Sequence, residues 1–323
     1  MGSEKCKIID GLISIIIVNY NTTEYLRKCL YSIYKFENPE MFEVIVVDNA
    51  SEENIFGTFS AFTDKYNNIR CIISDSNLGF SKAVNKGFKE AKGEYILIMN
   101  PDIEIRKDLF SRLKSHFDNK RIGAVSPLLK GEENNIQFNY YQKYPALRQF
   151  LYFHSIFAKI FINNVKLRTK FLYESSFVSD KYSLAEVSQL PCAFLLTRRD
   201  IFSDAGRMNE KYFLFFEDMD LCFRIRRNYK LYVDTAESVL HIGGSSFNID
   251  KNPDIYGKYI LSMNIFFDLN YTFLRALVLK IITVFNSLLI LSIEYLKKLI
   301  KKSDEFRIRK HKYFLQLFKK QYL

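Results

Sequence analysis

Between Ile13 and Met99 the chain reads ISIIIVN (Ile13–Asn19), VIVVD (Val44–Asp48), IRCIIS (Ile69–Ser74) and YILIM (Tyr95–Met99). These are short β-branched runs separated by segments of helical period. The spacing predicts helices over Thr23–Tyr34, Glu52–Tyr66, Phe80–Ala91 and Lys107–Asn119, with a further strand over Gly123–Ser126. In Phe80–Ala91 the apolar positions Phe80, Val84, Phe88 and Ala91 recur on one face, and Gly93 supplies a stop. Ser51 before Glu52 and Glu53 reads as an N-cap followed by first-turn acids. Strands alternating with helices of this length imply right-handed β-α-β units and a mostly parallel sheet flanked by helices, an α/β fold.

Beyond this core the pattern changes. Phe138–Phe177 is aromatic and helical-looking without strand alternation. Regular elements return at Cys192–Thr197 (strand), Arg199–Asp204 and Asp218–Arg227 (helices) and Val239–Ile242 (strand), and Tyr259–Leu323 reads as helices. This predicts one domain over residues 1–250 and a helical, basic C-terminal segment over 251–323.

Composition narrows the function classes. The 323 residues are 48% hydrophobic and 26% charged, which excludes disorder and a small disulfide scaffold. Of the net charge of +11, Lys297–Leu323 carries +8 (ten Lys/Arg against two acids), leaving +3 for the rest. A basic end on a near-neutral body attracts an anionic membrane surface and gives no support to nucleic-acid binding. Five cysteines without a Cys-x-x-Cys pair read as reduced, buried thiols in a cytoplasmic protein, and Met1–Asp10 lacks the apolar core of a signal peptide.

Several nucleotide motifs are absent: no Gly-x-Gly-x-x-Gly follows the first strand, and there is no Walker A sequence. Instead, polar groups stand at strand ends, where open α/β sheets bind ligands: Asn19-Tyr20-Asn21, Asp48-Asn49 and Asn100-Pro101-Asp102. Such carboxylates can hold a base, a ribose or a divalent cation, although each alone also reads as a polar loop residue. A second cluster, Glu217-Asp218-Met219-Asp220, follows an aromatic run. There a carboxyl can act as general base, or the acids can simply cap a helix. His241 ends a further strand, and the following Gly243-Gly244-Ser245-Ser246 offers groups suited to phosphate.

Taken in order, Ile15–Asn21, Val46–Ser51, Asn77-Leu78-Gly79-Phe80-Ser81 with Asn85 and Gly87, Asn100-Pro101-Asp102, Phe216–Leu221 and His241 carry a resemblance. Over about Ile13–Ser246 the chain resembles an inverting family 2 glycosyltransferase of GT-A fold, most of all its rhamnosyltransferase-like branch. The resemblance implies that Asn19, Tyr20, Asn21 and Asp48 hold the base and ribose, and that Asn77, Gly79, Asn85 and Asn100 border the nucleotide-sugar pocket. It implies Asp102 as metal ligand with His241 as a second, a Mg²⁺ or Mn²⁺ cofactor, Asp218 as catalytic base and Glu217 as an acceptor-positioning residue.

The implied activity is transfer of a sugar, with rhamnose the branch's candidate, to a lipid-linked glycan in bacterial surface polysaccharide synthesis. The alternatives are a UDP- or GDP-hexose donor, or a non-catalytic nucleotide-sugar binding protein. Three departures stand out: Asn100 replaces the first acid of Asp-x-Asp, Cys192-Ala193 replaces Gly-Ala and would narrow the acceptor side, and Met208-Asn209 replaces Phe-Asp.

Ala276–Ile293 is apolar enough to approach a membrane span, but Lys280, Thr283, Ser287 and Glu294 recur at helical spacing. That stripe favours an amphipathic helix on the inner face of the cytoplasmic membrane, with a span and core or homodimer packing as the other readings.

Overall fold

The computed structural model describes residues 7–161, 164–174, 183–243 and 252–323. Contacts divide the chain into two units. One comprises 1–142, 174–210 and 217–243, and the other 143–173, 211–216 and 244–323. The boundary expected near residue 250 lies outside the described residues, and two segments that precede it in sequence, 143–173 and 211–216, group with the C-terminal helices.

The first unit is built on β1 (Ile9–Asn19), β2 (Phe42–Asp48), β3 (Ile69–Ile73) and β4 (Gly93–Met99). All seven residues of β2 are buried, as expected of a strand covered on both faces. β5 (Ile103–Glu104), β6 (Ile122–Lys130), β7 (Leu184–Val187), β8 (Phe194–Arg198) and β9 (Lys230–His241) extend the sheet. The order is β3-β2-β1-β4-β8-β6-β9-β5, with β7 also pairing with β9. β3-β2-β1-β4 is parallel as the alternation predicts, but β8 runs antiparallel to both β4 and β6, so the sheet is mixed.

Helices α1 (Thr23–Phe36), α2 (Phe56–Thr63) and α3 (Phe80–Glu90) connect the parallel strands. α3 lies close enough to the sheet that a Cβ on Gly87 would sit 2.7 Å from Ile16 Cγ2, which explains a glycine in mid-helix. α2 begins at Phe56 rather than at Glu52, because the Ser51 hydroxyl is bonded to Asp48 instead of capping a helix. The expected Lys107–Asn119 helix is α4 (Phe110–Ser115) followed by a 3₁₀ turn, and α8 (Arg199–Asp204) and α9 (Glu217–Ile225) follow later in the chain.

The second unit contains α5 (Leu147–Phe153), α6 (Ala158–Phe161) and α7 (Val165–Leu172), then α10 (Pro253–Asn270), α11 (Phe273–Lys298) and α12 (Glu305–Tyr322). The basic terminus is therefore a folded helix, with Ile308, His311 and Phe314 buried. The packing of α11 decides which way its faces turn. Its polar stripe is buried: Thr283 faces Asn264, Ser287 faces His311, and Glu294 accepts hydrogen bonds from Arg307, Lys297 and the Asp304 N–H. Ala276, Leu279, Ile290 and Leu291 are buried with it, while other apolar residues, among them Phe273, Ile281 and Phe285, face outward.

Candidate active site

β1 and β2 end in register, Asn19 opposite Asp48. The Asn19 amide donates to Asp48 Oδ1 (2.9 Å), which also accepts from Ser51 Oγ (2.7 Å), while Asp48 Oδ2 takes the Ser51 N–H (3.1 Å). Thr22 Oγ1 donates to Asn19 Oδ1, fixing the amide's orientation. Asn21 adopts a left-handed φ of 53°, tolerated by Asn, and its Oδ1 accepts the Glu52 N–H. Tyr20 stands exposed beside this buried network.

Asn49, on the next residue, ties the crest to the following loop. Its amide donates to Asn77 Oδ1 (3.0 Å) and accepts the Leu78 N–H (2.9 Å). Gly79 enters α3 at φ 77°, where a side chain would be strained. Asn85, expected at the nucleotide-sugar pocket, is committed elsewhere. It donates to Met208 O and Glu210 Oε1 and accepts the Met208 N–H, bracing the loop around a cavity of about 380 Å³. Asn100 follows β4, its backbone N–H bonded to Ala193 O at 2.9 Å.

Asp102 and His241 meet across the β5–β9 pairing, with His241 Nε2 3.5 Å from Asp102 Oδ1. Gln137 sets the imidazole: its Nε2 donates to His241 O (2.8 Å), leaving its Oε1 to accept from His241 Nδ1 (2.7 Å). Tyr140 packs edge-on against the ring. With Nδ1 donating to Gln137, Nε2 faces the Asp102 carboxylate: bearing a proton it donates to that oxygen, and without one its lone pair and the carboxylate make a pair of acceptors that suits a cation. Burial alone would raise the Asp102 carboxyl, but His241 and the Gly243 N–H outweigh it and hold it below its ordinary range. Among the described residues no third His, Cys, Asp or Glu joins them. Gly244, Ser245 and Ser246 lie outside the described residues.

The acidic cluster opens α9 and is resolved by separating its members. Asp220 is buried and bonded to Arg224 (2.8 Å), a structural pair. Asp218 Oδ2 accepts from Gln189 Nε2 (3.1 Å), and Oδ1 takes the Met219 N–H (2.7 Å). Gln189 is itself fixed, since its Oε1 accepts the Gln142 N–H and its Nε2 also donates to Leu190 O. Glu217 is buried, and its Oε2 has no hydrogen-bond partner among the described residues.

Burial raises both carboxyls. For Glu217 the neighbouring Asp218 charge adds to the rise, while for Asp218 the N–H groups of Met219 and Cys192 oppose it. Cys192 thus reaches the site through its backbone N–H, and its buried thiol lies near enough to Asp218 and Glu217 to feel their charge. Just before α9, Phe215 and Phe216 both adopt positive φ (70° and 66°), at about 1–3 kcal/mol each. Within the second unit, Tyr259 packs against both rings, and Ser262 Oγ donates to Leu214 O (2.8 Å), over-determining that conformation.

Gln137 and Gln189 escaped the sequence reading, because neither lies in a periodic segment or a motif. The model of glycosyl transferase family 2 matches residues 14–179, a little over half the chain. The chain belongs to this family. It is a glycosyltransferase with the GT-A architecture of a mixed sheet flanked by helices.

Within the family, the chain is 26% identical over 251 residues to an N-acetylglucosaminyl-diphospho-decaprenol L-rhamnosyltransferase of Mycobacterium tuberculosis, covering 71% of this chain and 76% of the relative. It is 24% identical over 285 residues to the low-salt glycan biosynthesis hexosyltransferase Agl10 of Haloferax volcanii (84% and 81%). Among solved structures, the mannosyltransferase PcManGT of Pyrobaculum calidifontis, in complex with GDP-Man and Mn²⁺, shares the fold. Its TM-score is 0.55 at 13% identity, covering 80% of this chain and 65% of that one.

Proposed function

We propose that this glycosyltransferase moves a sugar from a nucleoside-diphosphate donor to a lipid-linked glycan at the inner face of the cytoplasmic membrane, with inversion at the anomeric carbon. Residues 1–250 carry the chemistry and 251–323 the membrane contact. The observation that carries this reading is the alignment of Asn19, Asp48 and Asn100–Asp102 at the ends of adjacent parallel strands, the crest where open α/β sheets take ligands.

In this reading Asn19, Tyr20, Asn21 and Asp48 receive the base and ribose, and Asn77, Gly79 and Asn100 border the donor. Asn85 acts indirectly, by bracing the Met208–Glu210 loop. A divalent cation, Mg²⁺ or Mn²⁺, would be held by Asp102 and His241 and would offset charge on the diphosphate leaving group. The acceptor oxygen bonds to the anomeric carbon as the bond to the donor phosphate breaks. The hydroxyl proton passes to Asp218, and the nucleoside diphosphate departs. Burial makes Asp218 a stronger base than a surface carboxylate, and Gln189 aims it. Glu217 positions the acceptor. The mycobacterial relative supports rhamnose as the sugar and a polyprenyl-diphosphate-linked acceptor, whereas Agl10 supports a hexose.

The test is turnover of UDP-, GDP- and dTDP-sugars onto polyprenyl-linked acceptors. Asp218→Asn should lower kcat roughly 10²–10⁴-fold while donor affinity holds, because the amide cannot accept the proton. The wild-type acid limb should lie above the ordinary carboxylate range, since a raised pKa leaves Asp218 protonated to higher pH. Near-wild-type transfer by Asp218→Asn would remove it from the role.

A further inference from the structure

The outward face of α11 is largely apolar: Phe273, Leu274, Ile281, Phe285, Leu288 and Leu296 are all exposed, with Arg275 and Ser292 the polar exceptions before the terminal lysines. An amphipathic helix on a water-soluble body does the opposite. Here the polar stripe cannot rotate outward, because Thr283, Ser287 and Glu294 are bonded within the helical unit. The helix is followed by Lys297-Lys298-Leu299-Ile300-Lys301-Lys302, in which Leu299 and Ile300 are 81% and 64% exposed. Lys297 pairs with Glu294 and Lys298 with Glu305, while Lys301 and Lys302 make no ion pair among the described residues.

We infer that α11 lies in the plane of an anionic leaflet, with its outward face in the acyl boundary and the lysines around Leu299 and Ile300 at the headgroups. The charge pattern selects this occupant. Burying Leu299 and Ile300 together with the adjacent ammonium groups requires a phase that is apolar below and anionic above, which a lipid interface supplies. A second copy would instead bring its own lysine cluster.

The geometry also separates lying from spanning. By length (26 residues) and by a mean hydropathy of 2.2 over its most apolar 18 residues, α11 can cross a bilayer. But α12 packs along it, joined through Arg307–Glu294 and His311–Ser287. A crossing would carry Arg307, Arg309, Lys310 and Lys312 of α12 into hydrocarbon, where charged side chains are strongly disfavoured.

This inference deepens the membrane-bound acceptor of the proposed function, and vesicles free of any glycan test it separately from transfer. The chain contains no Trp, so Phe285→Trp gives a single reporter on the outward face, with Tyr31→Trp as a control on the other unit. With phosphatidylglycerol-containing vesicles at low salt, the Phe285→Trp emission should shift to the blue and be quenched by brominated lipid, and the control should do neither. Pure phosphatidylcholine vesicles, 0.5 M salt, or the pair Lys301→Glu and Lys302→Glu should each weaken binding about tenfold or more. Alkaline carbonate should release the bound protein. Carbonate-resistant insertion indifferent to lipid charge would overturn the inference in favour of a span. Absence of vesicle binding together with a dimer dissociated by Phe285→Ser would overturn it in favour of self-association.

Discussion

The strand crest and the helical unit both bury polar side chains, yet they present opposite surfaces. At the crest, Asn19, Asp48 and Ser51 satisfy one another and leave a polar rim with Tyr20 exposed. In the helical unit, Thr283, Ser287 and Glu294 are satisfied inward, and the exposed side of α11 is apolar. The shared rule is that buried polar groups must be paired. What differs is which face remains, polar at the crest and apolar on α11, and therefore the medium proposed for each: an aqueous nucleotide sugar in one case, a lipid interface in the other.

Three substitutions probe that contrast. Glu294→Ala should have the largest effect, about 3 kcal/mol of stability, because it leaves the partly buried Arg307 guanidinium and the Asp304 N–H without their acceptor in the helical unit. Chemical denaturation measures this, and a loss below 1 kcal/mol would show that the inward polar stripe does not fix α11's orientation. Asp48→Ala should cost about 1–3 kcal/mol, by leaving the Asn19 and Ser51 donors unpaired, and should also weaken nucleotide binding, which Glu294→Ala should leave intact. Equal nucleotide affinity in Asp48→Ala and wild type would separate this network from the donor site.

The smallest effect concerns Asp234, which is buried on β9 beside His116 and Arg112. Burial alone would raise its pKa, but these partners hold it near 2. A depressed folded pKa contributes stability that is fully present above the ordinary carboxyl value of about 3.9 and is lost as pH falls toward the folded one. Urea midpoints should therefore fall on acidification below about pH 4 in wild type and more shallowly in Asp234→Asn. An unchanged acid slope in the variant would refute the linkage.

Much of the first unit was legible because its elements are local. The β1–β4 runs and the α3 face are set by period, and the strand-end residues by their place after each run. The direction of β8 was not legible, since it depends on a partner strand nearly a hundred residues away in sequence. Gln137 and Gln189 were hidden for a similar reason: each is an isolated amide whose importance lies in bonds to His241 and to Asp218. Asn85 was legible as a motif residue, but its use as a loop brace was not. For α11 the period showed a polar stripe and could not say which way it turned, because pairing with α10 and α12 decides that.

The proposed function requires the crest to bind a nucleoside diphosphate through a cation held at Asp102 and His241. The direct measurement is titration calorimetry of UDP, GDP and dTDP against wild type and Asp102→Ala, with Mn²⁺ and with EDTA. At least one nucleotide should bind wild type about tenfold or more tightly with Mn²⁺, and Asp102→Ala should lose this gain while remaining folded. Equal tightening by Mn²⁺ in both proteins, or no binding of any of the three nucleotides to wild type, would contradict it.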